Sequence, residues 1–251
     1  MTKGDSIRKT QLDAPNAGPN SCLSRPVLKL DWCTYEAAKF ACEKWHYAGK
    51  IPKSKLAKMG VWENGQFVGV IIFGVGATGD LVKRYGLGKI EGCELVRIAL
   101  TRHQTPVSRL VAIAIRMLKN QYSKLRLIVS FADPERGHHG GIYQAGGWVY
   151  TGQSQRSDEY IFLGRRWQGR SFRNSHKGME RHPRVQVVKG SSKYRYLYPL
   201  DDETKLAIQK YAKPYPKRRA ASKDIVAPGV HPGEAGEAPS AALQNGPIKT
   251  V

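Results

Sequence analysis

The stretch Met59-Gly60-Val61-Trp62-Glu63-Asn64-Gly65-Gln66-Phe67-Val68-Gly69-Val70-Ile71-Ile72-Phe73 decides the fold. Two strand-like runs flank Asn64-Gly65, and Asn-Gly tolerates the positive φ angles of a type I′ turn, whose twist matches that of paired strands. A β-hairpin is therefore predicted here. The apolar run around Ile71, Ile72 and Phe73 is broken by Gly69, Gly74 and Gly76. It falls far short of the roughly 20 apolar residues that span a bilayer, so no transmembrane segment is expected.

Upstream of the hairpin, Val27-Leu28-Lys29-Leu30 alternates like a short strand. Thr34, Glu36, Ala37, Ala38, Phe40, Ala41 and Trp45 predict an N-capped amphipathic helix. His46 and Tyr47 fall at its C-terminal end, where Gly49 and Pro52 stop it. Downstream, Glu94–Leu100 reads as a strand and Ser108–Asn120 as a helix with a wide apolar face. Leu125–Phe131 is then a strand ending at Ala132-Asp133-Pro134. A short helix over Gly140–Ala145 and strands near Trp148–Tyr150 and Glu159–Leu163 complete the order. That succession resembles the GCN5-related acyltransferase fold, an α/β architecture whose mixed central sheet, flanked by helices, splays open between its fourth and fifth strands.

The 251 residues carry a formal net charge of +21. Charge of that size and sign attracts polyanions, and its binding is salt-sensitive because neutralised phosphates release counterions. Nucleic acid is the leading partner. A membrane surface is disfavoured by the lack of a basic amphipathic helix rich in Leu and Phe. Cys22, Cys33, Cys42 and Cys93 form no C-x-x-C pair, and residues 1–30 are polar, with no secretory signal. A reducing, cytoplasmic compartment is expected.

Composition divides the chain. Residues 1–25 read as a disordered leader and 26–164 as the catalytic domain. Residues 165–213 read as a basic nucleic-acid-binding extension and 214–251 as a disordered tail. In the extension, Arg165, Arg166, Trp167, Arg170, Arg173, Lys193 and Arg195 interleave cations with aromatics, which suits phosphate neutralisation and base stacking together.

Polar chemistry concentrates in few places. His46 and Tyr47 offer an imidazole and a phenol side by side, each able to move a proton or ligate a metal. Asp133 emerges where an apolar strand ends, the place at which open α/β sheets usually bind ligands. Gly137-His138-His139-Gly140-Gly141 brings two imidazoles without metal-ligand spacing, and its glycines would let backbone approach a substrate. Tyr143 follows, as a core tyrosine or a site residue. The loop Thr101–Val107 precedes a helix N-terminus that suits an anion. It lacks the glycine-rich pattern with which acyltransferases hold coenzyme A: Arg102 opens it suitably, but Thr105 and Val107 stand at the glycine positions and Pro106 removes a donor.

Taken together, several segments resemble the Mom family of phage DNA-modification proteins. These are Trp45-His46-Tyr47, Gly60-Val61-Trp62-Glu63, Cys93-Glu94-Leu95-Val96-Arg97, Pro106-Val107-Ser108-Arg109, Val129-Ser130-Phe131-Ala132-Asp133 and Gly140-Gly141-Ile142-Tyr143-Gln144-Ala145-Gly146. The resemblance implies an enzyme that converts adenine in double-stranded DNA to N6-carbamoylmethyladenine in the bacterial host's cytoplasm, shielding phage DNA from restriction. It implies His46, Tyr47, Asp133 and Tyr143 as catalytic residues, with iron as a cofactor held by His46, Tyr47 and Asp133. A small-molecule or carrier-borne donor, acetyl-coenzyme A among the forms considered, is expected against Arg97, Arg102, Ser108 and Arg109. Two other functions fit the same residues: a coenzyme A-dependent N-acetyltransferase acting on protein or RNA, and a non-catalytic DNA-binding protein.

Overall fold

The computed structural model describes residues 25–76 and 80–217. Cys22, the expected leader apart from Arg25, and the expected tail from 218 onward lie outside the described residues. In chain order the first elements are β1 (Leu28–Trp32), α1 (Tyr35–Trp45), β2 (Leu56–Glu63), β3 (Gln66–Gly74) and β4 (Gly92–Leu100). Then come α2 (Val107–Gln121), β5 (Leu127–Ala132), α3 (Gly141–Ala145), β6 (Val149–Gln153) and β7 (Asp158–Phe162). The last are β8 (Arg165–Gln168), α4 (Gly169–Ser175), β9 (Gln186–Lys189), β10 (Tyr194–Pro199) and α5 (Asp202–Gln209).

The Asn-Gly hairpin forms as its sequence predicts. Asn64 and Gly65 take φ angles of 52° and 81°, and β2 pairs antiparallel with β3, Met59 opposite Ile71. Around it grows a seven-stranded sheet in the order β1-β2-β3-β4-β5-β10-β6. The one parallel neighbouring pair, β4 with β5, runs only from Gly92 opposite Leu127 to Leu95 opposite Ser130. Beyond that point β4 stays with β3, Arg97 opposite Ile72, while β5 stays with β10, Phe131 opposite Arg195. The sheet therefore forks between its fourth and fifth strands, as the order of elements predicts.

Strand alternation sends neighbouring residues to opposite faces, and both faces are covered. On one, α2 lays Leu110, Val111, Ala114 and Leu118 against Met59, Ile71, Phe73, Leu95 and Ile128. On the other, α1 packs Ala38, Ala41 and Cys42 on Val70, Ile72 and Ala99. Farther along that face α5 packs Ile208 on Leu127, Val129 and Leu197. Leu110 is fully buried, and truncating such a leucine to Ala costs about 2–5 kcal/mol.

One part of the expected order changes. The strand expected at Glu159–Leu163 leaves the main sheet and forms a second, three-stranded sheet in the order β8-β7-β9. The edge of the main sheet is instead completed by β10, from within the segment expected as a separate basic extension. Its Tyr-Arg-Tyr-Leu-Tyr run is a strand of period two. Tyr194, Tyr196 and Tyr198 face the α2 side, Tyr196 against Tyr143 and Tyr150, while Leu197 faces α5. These aromatics are core residues.

Candidate active site

The fork has a built floor. At the last paired rung, Ser130 Oγ lies 3.0 Å from the Leu95 carbonyl and 2.8 Å from the Tyr143 hydroxyl. Ser130 has one proton, which it donates to the carbonyl, so Tyr143 donates to Ser130. Tyr143 sits on α3, buried, between Trp148 and Tyr196. Burial pushes its phenol up to about 12, so it stays protonated. Its position makes it a brace beneath the fork.

Just above the floor the pairing of β3 with β4 skips Val96, a bulge that re-aims the following side chain. Arg97 consequently shares the α1 face with Ala99. Its Nη1 donates to the Val96 carbonyl at 2.8 Å, and its buried Nε has no partner. His46 caps the C-terminus of α1 with extended backbone, φ −118° and ψ 132°. The Ala48 amide donates to His46 Nδ1 at 3.0 Å. Burial, with the Arg97 charge and His138 beside it, lowers the His46 imidazole to about 4. His46 is thus neutral near pH 7, with its proton on Nε2.

Tyr47 is half exposed, with His46 at 4.3 Å and His138 at 5.7 Å between ring centroids. The Arg136 guanidinium lies 5.4 Å over its ring. Burial and Asp133 raise its phenol against the lowering effect of Arg97 and Arg136. Asp133 follows β5 and caps a short 3-10 turn, accepting from the Glu135 amide at 3.1 Å. Ser191 Oγ donates to the same carboxylate at 3.3 Å, and Lys193 Nζ lies 4.0 Å from its second oxygen. His138 is lowered by burial, partly offset by Asp133.

The structure thus brings His46, Tyr47, Arg97, Asp133 and His138 into one electrostatic neighbourhood at the fork, with Tyr143 beneath. Lys193, expected to contact nucleic acid, stands at this centre. Arg136 and Ser191 escaped the sequence reading, because a turn arginine and a loop serine 58 positions from Asp133 carry no local pattern. The Gly137–Gly141 run has a different role at Gly140: a side chain there would collide with the Tyr196 ring, so this glycine serves core packing.

Chemistry by thiol is disfavoured. Burial raises Cys33 to about 12 and Cys42 to about 11, and raises Cys93 further. The resemblance places iron on His46, Tyr47 and Asp133, which lie together at the fork. Among the described residues no three His, Cys, Asp or Glu side chains gather to hold an ion. His46 commits its Nδ1 lone pair to Ala48.

The loop between β4 and α2 is already occupied. Glu63, 6% exposed at the end of β2, accepts from the Gln104 amide at 2.8 Å and the Thr105 amide at 2.7 Å. Burial raises its carboxyl, but the hydrogen bonds from Thr105 and Gln104 and the nearby His103 outweigh that, so the net shift is downward. The amides that an anionic donor would use hold an internal carboxylate. Arg102 and Arg109 are exposed and Ser108 is half-buried beside this loop, away from the fork residues' contacts.

In the second sheet Arg165 stacks over Trp167 at 4.3 Å, and Arg166 pairs with Glu159 at 2.5 Å. Arg173 reaches the Tyr160 hydroxyl at 3.4 Å. Trp167 packs on Phe172 and His176 with its buried Nε1 unpartnered, so its ring belongs to a small aromatic core. Arg195 on β10 reaches the Tyr85 hydroxyl at 3.4 Å and the Gln153 carbonyl at 3.3 Å. Arg170 is exposed on α4.

A mixed sheet parted between two parallel strands, with polar groups gathered at the parting, places the chain in the acyltransferase-like α/β class. The chain belongs to the Mom protein family, whose signature matches residues 27–217. That membership makes it a DNA-modification protein of the phage type, of transferase character. Among solved structures, a protein described as a putative acetyltransferase from Acinetobacter baylyi ADP1 is similar at 15% identity, with a TM-score of 0.40. The similarity covers 71% of this chain and 94% of that one. No curated protein matches the sequence. Among the described residues no helix is long and apolar enough to cross a membrane.

Proposed function

We propose that this protein converts adenine in duplex DNA to its N6-carbamoylmethyl form within the bacterial host's cytoplasm, protecting phage DNA from restriction. The observation that carries the reading is the gathering of Asp133, His46, Tyr47, His138 and Arg97 at the fork of a sheet whose family modifies DNA. An exocyclic amine is inaccessible inside a duplex, so the base is flipped into the fork.

There the adenine N6–H donates to the Asp133 carboxylate, which Lys193 and Ser191 hold in place. N6 attacks the methylene carbon of the donor, a small-molecule or carrier-borne carbamoylmethyl group. The new N–C bond forms as the carbon's bond to its leaving group breaks. The amine proton passes to Asp133, and the leaving group departs with the bonding pair. His46 Nε2–H donates to the carbonyl oxygen of the donor, a fixed dipole aimed at the charge that develops there. Tyr47, under Arg136, offers the extruded base a ring to stack on.

The internal Glu63 carboxylate disfavours the coenzyme A-dependent reading, since it fills the loop that would hold a pyrophosphate. The test is to express the protein with plasmid DNA in bacteria, digest the DNA to nucleosides and weigh them. A heavier deoxyadenosine is expected. Unmodified nucleosides under confirmed expression defeat the reading.

A further inference from the structure

Two described residues other than glycine have positive φ. One is Asn64, a residue that favours this region; the other is Leu163, at φ 50°. Leu163 and Gly164 form the two-residue turn between β7 and β8, with Phe162 paired to Arg165 across it. The turn type wants Asn or Gly at its first central position. Leucine gains nothing there by packing, because it is 75% exposed. A residue that is backbone-disfavoured and solvent-exposed at once points to an external use.

Its surroundings say what kind. Residues 158–189 hold eight Lys or Arg against three Asp or Glu. Arg165 and Arg166 stand immediately behind the tip, and Arg165 is braced by stacking on Trp167. The hairpin is stiffened from beneath by Phe172, fully buried, stacked on Tyr160 and edge-on to Phe162. Its root adjoins the fork: Gly190 donates to the Ser157 carbonyl at 2.8 Å, and the next residue, Ser191, bonds Asp133. Five strand residues rising about 3.4 Å each carry the tip roughly 17 Å from that root.

We infer that Leu163 is an apolar wedge that enters the base stack of duplex DNA and fills the gap left by the extruded adenine, with Arg165 on a flanking phosphate. Apolar side chains on arginine-rich projections unstack base steps in this way. The inference rests on the proposed DNA-modifying function, but its test does not require the chemistry.

The test compares binding of the full chain to an intact duplex and to the same duplex carrying one abasic site, at fixed salt. A wedge favours the duplex whose gap is already open, so the wild type is expected to bind the abasic duplex about tenfold more tightly, equivalent to about 1.4 kcal/mol. Leu163→Asn suits the turn and should fold at least as well, yet show no preference for the abasic duplex. Leu163→Met keeps an apolar tip and should keep the preference. Equal wild-type affinity for the two duplexes, or a preference that survives Leu163→Asn, overturns the proposal. A protein that shows the preference yet leaves adenine unmodified upholds the wedge and defeats the proposed function instead.

Discussion

Replacing Glu63 with Gln separates a structural account of the β4–α2 loop from a donor-binding one. The carboxylate accepts two backbone amides at 2.8 and 2.7 Å, and Thr105 is 4% exposed, so its amide has no water to turn to. Hydrogen bonds to a charged group contribute about 1.5–3 kcal/mol each. Gln keeps one acceptor oxygen and turns an NH2 toward the other amide. The expected loss is therefore about 2–4 kcal/mol, read from the urea midpoint at neutral pH with the slope unchanged. Because the folded carboxyl lies below its unfolded value near ~4.3, this stabilisation is complete above that pH. It is lost as pH falls through the folded pKa, and the two proteins should converge in acid. The variant also frees the amides for an anion, so pyrophosphate should raise the melting temperature of Glu63→Gln and leave wild type unmoved. A stability loss below about 0.5 kcal/mol, or wild-type binding of coenzyme A that perturbs the Gln104 and Thr105 amides, would make the loop a donor site instead.

Other consequences are checked in the same preparations. His46, lowered to about 4, is neutral across the working range, so the pH profile of modification should show no inflection near 6.5 from this residue. His46→Gln, which keeps an N–H donor, should retain more activity than His46→Ala, and an inflection near 6.5 lost in His46→Gln would assign the imidazole a base role instead. The same shift makes the native state lose stability as pH falls from the unfolded value of about 6.5 toward 4, because only the unfolded chain takes up the proton there. Lys177→Ala with Arg181→Ala, both exposed in the second-sheet segment, should lower the slope of log affinity against log salt by roughly 1–2 without changing modification at saturating DNA. An unchanged slope would place the DNA elsewhere.

Much of the fold is legible from local signals. Asn64-Gly65 announces its hairpin, and Thr34 does accept from the Ala37 amide at the start of α1. The fork follows from the order of strands and helices. What escaped is non-local. Tyr194, Arg195 and Tyr196 carry both a strand's alternation and a nucleic-acid surface's mixture of cations and rings. Only the pairing of β10 with β5 and β6 shows that the tyrosines face a core. The departure of β7 into a second sheet likewise depends on partners, β8 and β9, whose runs of four residues each are too short to carry a clear alternation. At the site, His46, Tyr47 and Asp133 stand out because helix ends and strand ends are where polar side chains reach a cleft. Glu63 lay within a recognisable motif, but its meeting with Gln104 and Thr105 spans 41 and 42 positions and has no sequence signature.

In the proposed reaction Asp133 at the fork takes the proton of an extruded adenine. The most direct test of that step is the nucleoside mass profile of plasmid DNA from cells expressing either wild type or Asp133→Asn, with DNA affinity measured on both purified proteins. A heavier deoxyadenosine is expected with wild type, none with Asp133→Asn, and affinities within about twofold of each other, since rim charges and not this carboxylate hold the duplex. Full modification by Asp133→Asn would contradict that step.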